Sequence, residues 1–99
     1  MVNLENEQEI LNTIPHGSGI DGEWSIKRLR NGKVKLTNVY HCMNDVGYYD
    51  GYADFSLTID IGQPHDFRLA FHGRDAQYLN RKYQLREYLE DTFSIWLSS

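Results

Sequence analysis

The chain has 99 residues, of which 40% are hydrophobic, 24% are charged and thirteen are aromatic, with a formal net charge of −4. That length predicts a single domain over residues 1–99, and the composition excludes an intrinsically disordered chain. One cysteine, Cys42, excludes an internal disulfide framework and a thiolate-rich zinc site made by this chain alone.

The first ten residues, MVNLENEQEI, carry three Glu and no Lys or Arg, unlike the basic start and apolar core of a secretory signal. No window approaches the ~18 apolar residues of a membrane span. A cytoplasmic protein with no membrane partner is therefore expected. Residues 3–14 read as a helix with Asn3 as N-cap, Glu5 and Glu7 in its first turns, and Leu4, Leu11 and Ile14 on one face. Pro15 ends it, because proline disfavours helical geometry at the residue before it. HGSGIDG (16–22) holds three glycines and is a loop.

Asn31-Gly32 between segments 24–29 and 33–42 is a hairpin signal. A two-residue turn would set Leu36 opposite Lys27 and scramble the faces. A three-residue loop, Arg30-Asn31-Gly32, pairs Arg28 with Val34, Ile26 with Leu36 and Trp24 with Asn38, with Gly32 in the left-handed position. A four-residue loop at Asn44–Gly47 pairs Leu36 with Phe55, Val34 with Leu57 and Cys42 with Tyr49. A five-residue loop from Gly62 to Asp66 pairs Ile61 with Phe67, Ile59 with Leu69 and Leu57 with Phe71. All three turns bury the same face, which predicts a four-stranded antiparallel meander. From about Asp75 to Leu97 the period is helical, with Leu85, Leu89, Thr92 and Trp96 in one stripe widened by Tyr88, Phe93 and Ile95. Arg86 and Glu90 are spaced to pair along its surface. The predicted fold class is α+β in two layers, the meander with N- and C-terminal helices on one face.

The opposite sheet face is the first candidate site. It carries His41, Asp50, Tyr52, Asp54, Asp60, Arg68 and His72, with His41 opposite Asp50, Val39 opposite Tyr52, Ser56 opposite His72 and Asp60 opposite Arg68. Such pairs also serve ordinary sheet stabilisation. A protein partner, or a second copy in a homodimer, would use this face. The second candidate is the basic hairpin. Lys27, Arg28, Arg30, Lys33 and Lys35 fall within nine positions, with no acidic residue between Glu23 and Asp45. The rest of the chain holds five basic against fourteen acidic residues, or −9. A solvated hairpin has this composition; so does a phosphate-contacting arm that meets nucleic acid.

No cofactor or metal site is expected. Zinc needs three converging ligands, whereas His41 and His72 are expected to be held apart by two strands of intervening sheet and no HExxH spacing occurs. Cys42 beside His41 is not a nucleophile with its base, because neighbours on a strand face opposite ways. His16, Ser18 and Asp21 have the residue types of a hydrolytic triad, but triad partners normally converge from separate elements. The glycines of this loop follow a helix and precede a strand, so no helix dipole backs them as a phosphate cradle. With Asn44 and Tyr48 in the later turn, these residues remain loop candidates, since loops often carry function.

PHGSGIDGEW (15–24), YHCMNDVGYYDGYADF (40–55) and LREYLEDT (85–92) resemble a group of uncharacterised small proteins carried by bacterial plasmids, integrative elements and phages. The resemblance implies a mobile-element setting, in which small acidic proteins bind and inhibit host machinery such as restriction or CRISPR effectors. It transfers no catalytic residue. The leading expectation is thus a protein-binding inhibitor of a host defence complex, whose Asp50, Asp54 and Asp60 meet a basic nucleic-acid channel. A nucleic-acid-contacting accessory protein is the alternative, and a small hydrolase or metal enzyme ranks last.

Overall fold

A computed structural model describes residues 1–99. Helix α1 (Glu7–Thr13) is followed by strands β1 (Ser25–Arg28), β2 (Lys33–Met43), β3 (Tyr49–Asp60) and β4 (Gln63–His72), then helices α2 (Ala76–Tyr83) and α3 (Leu85–Ser98). The strands form one antiparallel sheet in the order β1-β2-β3-β4, an open α+β meander as its alternating pattern predicts. Apolar side chains from one sheet face and all three helices share a single buried cluster. At its centre Trp24 meets Phe55 and Phe93 edge-on, each at a centroid distance of 5.7 Å. Two indole N–H groups tie the helices down. Trp24 Nε1 donates to the Pro15 carbonyl at 3.1 Å, and Trp96 Nε1 donates to Thr13 Oγ1 at 2.9 Å.

The N-terminal helix is shorter than its pattern suggests. Asn6, not Asn3, is the N-cap, its Oδ1 accepting from the Glu9 N–H at 3.1 Å. Asn3 instead closes its own turn by accepting from the Glu5 N–H. The buried pair is Ile10 and Ile14, one turn apart, and Leu11 is 47% exposed.

The first hairpin has the expected register, Ile26 opposite Leu36 and Arg28 opposite Val34. Asn31 and Gly32 both lie in the left-handed region at its turn, and the ladder stops at Ser25, leaving Trp24 outside it. The other two registers differ from expectation by two residues. Leu36 faces Leu57 and Cys42 faces Gly51 in the second, and Leu57 faces Leu69 in the third. In the second hairpin a five-residue turn is organised by Asn44, whose Oδ1 accepts from the N–H groups of Val46 and Tyr48. A bulge then follows between Cys42 and Met43. In the third, Asp60 faces Gln63 across a tight turn, and the ladder is irregular until Thr58 meets Arg68. Pro64, which has no N–H to donate, lies in that stretch.

The C-terminal helical segment is two helices, broken at Gln84 by a left-handed conformation (φ 54°, ψ 45°). Asn80 Oδ1 caps the start of α3 by accepting from the Arg86 N–H at 2.8 Å. Leu85, Leu89, Phe93, Trp96 and Leu97 form the buried stripe of α3, whereas Tyr88 is exposed and Ile95 is 71% exposed. Arg86 reaches Glu90 at 3.4 Å, but its shorter bond is to the Leu69 carbonyl at 2.7 Å, with its guanidinium over the Phe71 ring.

Candidate functional site

The face opposite the helices is organised in rows across the strands. Lys27, Lys35, Thr58 and Arg68 are successive partners over all four strands. The next row is Ser25, Thr37, Ser56 and Ala70, and after it come Val39, Asp54 and His72. His41 faces Tyr52 at the far end, with Tyr49 beside His41 at a ring-centroid distance of 5.9 Å. Three cations thus share one row above a row of short side chains, three of them hydroxylic. Strands spaced ~4.8 Å apart make the row roughly 14 Å wide.

None of these cations is neutralised. Both ion pairs of the protein, Lys82–Asp50 and Arg86–Glu90, lie elsewhere. The two-residue register difference sets Arg68 opposite Thr58 rather than Asp60. Asp60 faces Lys33 and Gln63, and its Oδ1 accepts from the Gly62 N–H at 2.9 Å, turning that carboxylate toward its own turn. Arg28, Arg30 and Lys33 are exposed around the same hairpin, also without ion-pair partners. Lys27 directly opposite Lys35 is an unfavourable sheet pair, which stability alone does not call for.

Of the expected acidic residues, Asp54 and Asp60 keep open-face positions opposite Val39 and Lys33, whereas Asp50 leaves that face. Asp50 occupies the bulge and turns to α2, where its Oδ2 accepts from Lys82 Nζ and the Tyr83 hydroxyl, each at 2.7 Å. These two bonds hold the Asp50 carboxyl below the usual carboxylate range, and the bond to Asp50 in turn pushes the Lys82 ammonium and the Tyr83 phenol upward. Tyr52, not Asp50, faces His41, and Asp54, not Tyr52, faces Val39. His72 pairs in register with Asp54, though its Nε2 still reaches Ser56 Oγ at 3.0 Å. One strand, β3, lies between His41 and His72. No group of three or more His, Cys, Asp or Glu side chains is arranged to hold a metal ion.

The glycine loop packs against β2 where that strand runs past the end of β1. The Gly19 carbonyl accepts from the His41 N–H at 2.8 Å, and the Gly22 carbonyl accepts from Asn38 Nδ2 at 3.0 Å. His16 Nε2 lies 3.1 Å from that same Gly22 carbonyl, and Ser18 sits in the left-handed region at the turn tip. His16, Ser18 and Asp21 share no hydrogen bond, so the triad residue types do not form a relay. The loop instead lines a cleft of about 760 Å³ together with Tyr40, which packs on Gly19, and Tyr83, Leu85 and Tyr88. Cys42 lines its floor, and burial pushes that thiol upward, away from the thiolate needed for reactivity. In the later turn Asn44 is a structural cap, while Tyr48 is 72% exposed.

Tyr40, Tyr83 and Tyr88 are residues that pattern reading does not single out, because aromatic residues at helix and strand positions look like core. No protein-family model, curated protein or solved structure matches this chain.

Proposed function

We propose that the protein is a non-catalytic binding module whose uncovered sheet face holds the phosphate backbone of a nucleic acid. The observation that carries this reading is the row of Lys27, Lys35 and Arg68, unpaired with any carboxylate, with Lys33 on the same face and Arg30 at the hairpin turn; Arg28, opposite buried Val34, lies on the other face. Phosphate contacts need clustered cations and short hydrogen-bonding side chains beside them, and the Ser25–Thr37–Ser56 row supplies the latter. The negative remainder of the chain limits the contact to this face.

Fluorescence anisotropy with labelled single-stranded and duplex 20-mers over a salt series tests the proposal. Replacing Lys27, Lys35 and Arg68 together with Ala should weaken binding and lower the log–log salt slope on duplex by roughly two to three, at ~0.9 per lost phosphate contact. An unchanged slope would refute it.

A second reading has its own observation. Tyr48, Tyr49 and Tyr52 are all exposed around the β2–β3 end of the sheet, and tyrosine is a frequent anchor at protein interfaces. A protein partner, including the host defence complex implied by the mobile-element resemblance, would dock there. Pull-down from bacterial lysate separates the two. A stoichiometric protein that survives nuclease and is lost in Tyr52→Ala supports the second reading.

A further inference from the structure

The cleft beside the glycine loop is separate from the cationic row and has the opposite chemistry. Its lining includes four tyrosines, Tyr40, Tyr49, Tyr83 and Tyr88, and no Lys or Arg. Its volume of about 760 Å³ falls within the range of small-molecule sites. Tyr40 and Tyr88 meet at a centroid distance of 5.9 Å and an interplanar angle of 68°, so the two rings form adjoining walls rather than a closed stack. Gly19 holds the Tyr40 wall in place, since a Cβ there would lie 2.6 Å from Tyr40 Cζ. Asp21, also in the lining, is exposed and has neither a side-chain hydrogen bond nor an ion pair. The other carboxylate near this end of the sheet, Asp50, is already matched by Lys82.

The geometry points to a binding site for an organic cation, an alkylated ammonium carried on an apolar or aromatic body. Ring faces attract such a cation through their quadrupoles, and an unpaired carboxylate at the wall supplies the counter-charge. Met43, the exposed aliphatic side chain of the lining, accepts the apolar body, while Leu85 and Cys42 are buried behind it. Phosphorylated or carboxylated ligands are disfavoured, because the lining offers them no Lys or Arg, its one imidazole, His41, lies 3.4 Å from the Tyr49 hydroxyl, and Asp21 repels them.

A matched series tests the assignment by chemical-shift titration of the isotope-labelled protein. The probes are 4-hydroxyphenyl-trimethylammonium, its neutral isostere 4-tert-butylphenol, and 4-hydroxybenzenesulfonate. The cation should shift the Gly19, Tyr40 and Tyr88 amides and bind about tenfold tighter than the neutral isostere, the size of a desolvated cation–π contribution. Asp21→Asn should weaken the cation severalfold and leave the neutral probe unchanged, and Tyr88→Leu should remove the preference. Equal affinity for all three probes, preference for the sulfonate, or no shift by the cation up to about 10 mM would overturn the assignment. Lys35→Ala serves as the folded control and should leave this titration unchanged.

Discussion

Lys35→Glu is expected to stabilise the fold while weakening polyanion binding, two effects of opposite sign from one substitution. Lys27 and Lys35 are direct cross-strand partners, and Arg68 stands two strands from Lys35 in the same row. Opposed side chains have Cβ atoms ~5 Å apart. Two ammonium groups at ~7 Å in water repel by roughly 0.6 kcal/mol, reduced further at a Debye length of ~10 Å. Changing one sign turns that repulsion into attraction, so the gain is about 0.5–1 kcal/mol, with Arg68 adding in the same direction. For a domain this size, that corresponds to a rise in Tm of roughly 2–5 °C. Lys and Glu are both poor strand formers, so intrinsic propensity does not decide the sign. Thermal melts followed by circular dichroism at low salt and at 1 M salt measure the effect, with anisotropy on the same samples for binding. In 1 M salt, where the Debye length is ~3 Å, most of the gain should disappear. A lower Tm at low salt, a gain that persists undiminished at high salt, or binding equal to wild type would refute the reasoning.

Two further substitutions probe the scaffold around the sites. Asp50→Asn removes a carboxylate whose pKa is lowered by its bonds to Lys82 and Tyr83, so its stabilising effect is present above the unfolded value of ~3.9 and lost as pH falls through the lower folded value. The variant should therefore melt below wild type at pH 7, and the gap should close as pH falls below the unfolded carboxylate value; a gap independent of pH would show that the charge is not involved. Gly19→Ala places a Cβ against the Tyr40 ring at a φ of +108°, so a loss of roughly 2–3 kcal/mol is expected from backbone strain and displacement of the ring. Chemical denaturation measures it, and a loss under about 0.5 kcal/mol, the scale of an ordinary surface substitution, would mean that the loop does not hold Tyr40.

Alternation of apolar residues was enough to read which face of the sheet is buried, and it was not enough to read which residues stand opposite one another. A strand's side chains repeat every two residues, so a register displaced by two buries the same Phe55, Leu57 and Leu69 against the helices. The register of the first hairpin was readable, though not the end of its ladder at Ser25, because Asn31-Gly32 narrows its loop, whereas the Asn44 turn and the Pro64 stretch admit several lengths with the same faces. That degeneracy leaves the core untouched and changes the open face. With Arg68 opposite Asp60 the face is a set of matched charges; with Arg68 opposite Thr58 it carries an unneutralised cationic row. A single bulge does the same to Asp50, taking it from the candidate acidic surface to a bond with Lys82. The break at Gln84 had no sequence signal either, because glycine is the residue expected in a left-handed helix terminus. Hydrophobic burial is blind to these choices, so the polar groups that make turns, bulges and caps determine them. In this protein those groups (the Asn44 turn, the Asp50 bulge, the Asp60–Gly62 turn) decide which charges on the sheet remain free to meet a ligand.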